Sequence, residues 1–130
     1  MAVSSAAKSL RSIYQLKITL SHIRPPKWRR FLIVSTDSLA DLHLVVQIVM
    51  GWTDSHLHEF AKGGERYGVP DEDSPSDMHD ESEFRIDQVL KKEKDKLRYT
   101  YDFGDGWDHD LILEKITPFE TKVKLPACLK

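Results

Sequence analysis

Polar and apolar positions alternate along residues 13–20, with Tyr14, Leu16, Ile18 and Leu20 on one side and Gln15, Lys17 and Thr19 on the other. A period of two sends successive side chains to opposite faces, so this segment predicts a half-buried first strand. Pro25 and Pro26 break the chain. Residues 28–34 are then rich in aromatic and branched side chains without clean alternation, as expected of a second strand covered on both faces. The period changes at Leu39, Leu42, Val45, Val46, Val49 and Met50, which recur at three- and four-residue intervals and form one apolar stripe on a helix. Ser38 with Asp41 predicts a capping box in which Asp replaces the usual Glu, and Gly51 supplies the stop.

Residues 52–60 predict a short strand or an extended segment entering a loop. From 63 to 82 the chain carries Gly, Pro, Asp and Ser and few large apolar residues, a composition that predicts one long, mobile acidic loop. Ile86, Val89 and Leu90 have the spacing of a short second helix. Leu97, Tyr99, Tyr101 and Phe103 then alternate with polar residues, as do Trp107, His109, Leu111 and Leu113 after Gly104-Asp105-Gly106, which predicts a C-terminal β-hairpin. A two-residue Asp105-Gly106 turn would set Asp102 opposite His109, whereas a three-residue turn with left-handed Gly106 sets Asp102 opposite Asp108. Only the second gathers the apolar members of both strands on one face, so it is the expected register. The elements lack βαβ alternation. The predicted class is α+β: a mostly antiparallel sheet with one main amphipathic helix, a short second helix and the hairpin.

The length of 130 residues suits one domain, 1–130, with its core in about 13–116. The 40% apolar and 31% charged residues are those of a water-soluble globule. Residues 1–12 lack the apolar run of a signal peptide, no stretch suits a membrane span, and the lone Cys128 has no internal partner, so a cytoplasmic location is expected. A net charge of −2 offers no overall attraction to nucleic acid. Such binding would require two basic clusters, Arg24/Lys27/Arg29/Arg30 and Lys91/Lys92/Lys94/Lys96/Arg98, to converge.

The run from Tyr99 through Asp102-Phe103-Gly104-Asp105-Gly106-Trp107-Asp108 to His109 follows Trp28-Arg29-Arg30, Leu42-His43, Gly51-Trp52 and His56-Leu57-His58-Glu59-Phe60. In this order and spacing, over residues 14–114, the chain resembles the Ri-plasmid open-reading-frame-three-like family. The resemblance implies an association with plasmids or mobile elements, some members being labelled similar to transposon resolvases, and it implies no particular reaction. Family members often continue past a Pro-x-Cys segment into a Gly- and Pro-rich tail, so the tail here is expected to be short.

Candidate chemistry gathers at two places. In the expected register Asp102 and Asp108 face each other, with Asp105 at the turn, so a basic neighbour such as Arg29 or Arg30, a cation or a polar ligand is needed to offset their repulsion. His56 and His58, two apart, would share one face of a strand, and with Asp102 and Asp108 they form a candidate divalent-metal set. His43 is expected to be a packed or boundary helix residue, and His109 a partly buried, hydrogen-bonded one. Ser35 sits in a segment superficially like that of a recombinase nucleophile, but Ser and Thr before a helix are ordinary capping residues. No Gly-rich phosphate loop, Cys/His nucleophile pair or zinc-finger spacing occurs. The leading expectation is a non-enzymatic module that binds a protein or small ligand between the hairpin tip and residues 56–60, with Trp28, Trp52 and Trp107 among the contacts. The alternatives are a metal-dependent enzyme and a nucleic-acid-binding accessory protein.

Overall fold

The alternation in β1 (Ser12–Leu20) does bury Tyr14, Leu16, Ile18 and Leu20 on one face of a sheet. A computed structural model describes residues 11–70 and 77–130 of the chain. After β1 come β2 (Lys27–Val34), α1 (Leu39–Met50), β3 (His58–Lys62), β4 (Glu65–Gly68), β5 (His79–Asp80), a 3₁₀ turn at Glu81–Glu83, α2 (Ile86–Val89), β6 (Lys96–Tyr101), β7 (Trp107–Pro118) and β8 (Ala127–Cys128). The strands form one sheet in the order β5-β4-β3-β6-β7-β1-β2-β8. All neighbours are antiparallel except β4 and β5, so the sheet is mixed and the α+β class holds.

The core lies between one face of this sheet and α1, joined by α2. Ser38 and Asp41 make the expected capping box, each side chain accepting the other's backbone N–H at 3.0 Å. Gly51 ends the helix at φ 79°, a left-handed conformation that costs glycine little. Lys27 reaches across from β2 and donates to the Met50 carbonyl at 2.6 Å, satisfying an acceptor that the helix end leaves unpaired. Leu39, Leu42, Val45, Val46 and Met50 are buried, but Val49 is only half-buried at the margin of the stripe. His43 and Gln47, one turn apart, occupy the buried face instead. Ser35 is structural: its hydroxyl accepts the Ser12 N–H at 2.8 Å and closes the end of the β1–β2 pair. Among the described residues no helix is long and apolar enough to cross a membrane.

Three expectations need correction. β2 is covered on one face only: Phe31 and Ile33 are buried, while Trp28, Arg30, Leu32 and Val34 lie on the outer, partly exposed face. The segment 63–82 is not a single loop, because β3 and β4 pair as a hairpin and β5 adds to its edge; residues 71–76 lie outside the described residues. Backbone pairing supplies there what side-chain composition did not reveal.

The third correction concerns the β6–β7 hairpin. Tyr101 pairs with Trp107, Thr100 with Asp108 and Tyr99 with His109, so neither anticipated register occurs. Residues 102–106 form the connection, with Gly106 left-handed as expected and its N–H donating to the Asp102 carbonyl at 2.6 Å. Two registers that differ by two residues put the same side chains on the same face, so alternation cannot separate them. Turn geometry decides here: Asp102 adopts φ 62°, a conformation Asp tolerates better than most residues, and leaves the strand.

A candidate ligand cavity floored by two histidine–carboxylate pairs

His43 is brought to the sheet by the buried face of α1, and His58 by the inward face of β3, where it pairs with Tyr101. Their rings stack with centroids 3.5 Å apart and planes 8° from parallel. Each ring has its own carboxylate: His43 Nε2 lies 2.7 Å from Asp54 Oδ1, and His58 Nε2 lies 2.7 Å from Glu81 Oε1. Glu81 is only 4% exposed, whereas half of the Asp54 side chain faces solvent.

The surrounding hydrogen bonds fix the protonation of His43. Gln47 Oε1 accepts the Asp54 backbone N–H at 2.7 Å, which turns the Gln47 amide nitrogen toward Tyr99, where it donates to the phenol oxygen at 2.8 Å. Burial pushes the Tyr99 phenol well above its usual pKa, so it keeps its proton. That proton goes to His43 Nδ1 at 2.7 Å, and neutral His43 carries its own proton on Nε2, donated to Asp54. Burial and then the neighbouring His58 push His43 below its ordinary 6.5, against the opposing pull of Asp54. Two imidazolium rings at this separation would repel by about 5 kcal/mol at an effective dielectric of about 20, before the carboxylate bonded to each ring is counted. His43 is therefore held neutral near pH 7 while it donates to Asp54.

This cluster borders a cavity of about 640 Å³. Leu57, Val69 and Phe103, three large apolar side chains exposed by 71%, 67% and 48%, stand along its walls with Pro70 and Met78. Arg66 also borders it but is held by Glu59 at 3.0 and 3.2 Å. His56 lies 3.7 Å from Asp102, so any charge on His56 is matched.

Residues 12–130 match the family described as plasmid pRiA4b ORF-3-like protein. The chain belongs to this family. It is 40% identical over 110 residues to a Sinorhizobium fredii protein described as uncharacterized protein y4hQ, an overlap of 82% of this chain and 56% of that one. The chain thus spans about half the length of that curated relative. The crystal structure of a protein of unknown function, MM3350 from Methanosarcina mazei Go1, is similar at a TM-score of 0.80 and 33% identity, over 92% of this chain and 68% of that one.

In this pRiA4b ORF-3-like chain, the sequence-predicted residues divide into groups. His56 and His58 both border the cavity, and Asp102 stands next to His56. They do not form the expected metal set with Asp108, which instead accepts the Thr100 hydroxyl at 2.7 Å on the outer face of the hairpin. Asp105 is exposed at the tip. The anticipated repulsion between Asp102 and Asp108 falls away because they are no longer paired.

Trp52, Trp107 and Tyr101 form an aromatic cluster behind the cavity, with Trp52 donating to His109 Nε2 at 3.2 Å. His109 is fully buried and its Nδ1 meets the Tyr99 carbonyl at 3.2 Å, so it is a structural histidine. Trp28, Arg29 and Arg30 do not reach the cavity: Arg30 pairs with Glu114 at 2.7 and 3.1 Å, Arg29 donates to the Trp28 carbonyl, and Lys17 and Arg30 flank the Trp28 ring. Of the two basic clusters, Lys27 donates to a helix carbonyl and Arg30 pairs with Glu114.

Asp54, Glu81, Gln47 and Tyr99 were missed as site residues. The available signal was His43 and Gln47, two polar residues one turn apart on an otherwise apolar helix face. Glu81 had no such signal, since it lay in a stretch that reads as solvated acid.

Proposed function

We propose that this pRiA4b ORF-3-like chain is a ligand-binding module, with its site in the cavity between the hairpin connection and residues 56–60. The observation that carries this reading is the cavity itself, which has a polar floor of paired histidines and carboxylates, buried except at Asp54, beside exposed Leu57, Val69 and Phe103. Small-molecule sites combine an apolar wall with a few convergent polar groups, and clustered exposed apolar side chains mark contact surfaces. The association with plasmid or mobile-element biology comes from the family and does not name the ligand.

The test is a small-fragment screen followed by amide NMR. Bound fragments are expected to shift the resonances of Leu57, His58 and Val69 together, and Leu57→Glu is expected to weaken the hits without unfolding the protein. Hits that map to other surfaces, or no hits at all, would contradict the reading.

A metal-dependent enzyme is the second reading, and one observation favours it: donor atoms of His43, Asp54 and His58 all lie within 4.8 Å of one another. The stacking counts against it. A metal bound in the plane of one ring lies out of the plane of a parallel neighbour, so one imidazole would have to rotate away from its carboxylate. Stoichiometric zinc, manganese or iron in protein purified without chelator would reverse this preference.

A further inference from the structure

Resting on that reading, we infer that the cavity selects an organic cation: a protonated amine seated at Asp54, with its apolar body against Leu57, Val69 and Phe103. The floor is asymmetric at Asp54. His43 accepts the Tyr99 hydroxyl at Nδ1 and meets Asp54 through Nε2, so the partner that holds Asp54 is a neutral imidazole.

The other charges nearby do not supply the missing cation. Arg66 is engaged by Glu59, and His56 faces Asp102. Asp54 is also the floor carboxylate best placed to meet a ligand, because half of its side chain is open. It is held in position by its backbone N–H on Gln47 and by His43 Nε2 on its Oδ1. A primary ammonium offers three donors and one charge to such a carboxylate, and an aryl or alkyl body would cover the apolar wall that water now meets. A carboxylate or phosphate ligand would instead face the uncompensated negative charge.

The experiment compares 2-phenylethylammonium with the nearly isosteric neutral 2-phenylethanol, and with zinc ion alone, by NMR titration of the full chain at neutral pH and low salt. The ammonium is expected to bind at least about tenfold more tightly than the alcohol, and to lose that advantage as salt screens the charge. Asp54→Asn keeps a side-chain oxygen for His43 and is expected to reduce the ammonium to the level of the alcohol. A urea denaturation midpoint for Asp54→Asn close to that of wild type verifies that the fold is intact.

Equal affinity for ammonium and alcohol, or full ammonium affinity in Asp54→Asn, would overturn the inference and leave the cavity as a ligand site of another class. Tight zinc binding without ammonium binding would overturn it in favour of a metal centre. If neither organic probe nor zinc shifts Leu57, His58 or Val69, the inference falls together with the reading on which it rests.

Discussion

His43 and His58 lie face to face, 3.5 Å apart, with each ring bonded to a different carboxylate. Residues from a helix, a strand, a helix-to-strand connection and a 3₁₀ turn thereby become one electrostatic unit. The hydrogen bonds around His43 decide where its proton sits.

Tyr99 is the support beneath His43. Removing its hydroxyl leaves a Gln47 donor and the His43 Nδ1 acceptor without their buried partner. Tyr99→Phe is expected to destabilise the fold by about 1–3 kcal/mol, the cost of unsatisfied buried polar groups, as measured by urea denaturation. A loss below the error of the measurement would show that water replaces the hydroxyl.

The helix stripe provides a second contrast. Leu42 is fully buried, so Leu42→Ala should cost about 2–5 kcal/mol. Val49 lies at the half-exposed margin, and Val49→Ala should cost no more than about 1 kcal/mol. Equal shifts in the denaturation midpoint would mean that α1 is rotated from the described orientation.

Stability should also depend on pH in a defined window. Burial lowers the pKa of both His43 and His109 from the ordinary 6.5. Between the lowered folded values and 6.5 the unfolded chain binds more protons, so the native state loses stability as pH falls through 6.5 and the loss levels off below the folded values. Asp37, whose carboxyl is raised by its own burial, acts in the opposite sense, so the comparison is cleanest in an Asp37→Asn background. Denaturation midpoints should be lower at pH 5.5 than at pH 7.5. A higher midpoint at the acid value would contradict the neutral, buried assignment.

Much of the fold was legible in the sequence because its signals were local. The capping box at Ser38 and Asp41, the Gly51 stop and the alternation of β1 each lie within a few residues of the element they define. The hairpin was legible only to its parity, since Asp102 leaves the strand for a conformation that alternation does not encode. The site was less legible still. His56, Leu57 and His58 border the cavity with Asp102 beside His56, but Asp54 and Glu81 acquire their meaning only when α1 and β3 bring two histidines together. Trp28, Arg29 and Arg30 looked available because their partners are remote in sequence: Glu114 is 84 residues from Arg30.

The central claim, that Asp54 borders the cavity beside a neutral His43, is tested most directly by long-range ¹H–¹⁵N NMR of the histidine rings at neutral pH. The predicted spectrum shows His43 neutral, with its proton on Nε2. A protonated His43, or neutral His43 with its proton on Nδ1, would contradict the account.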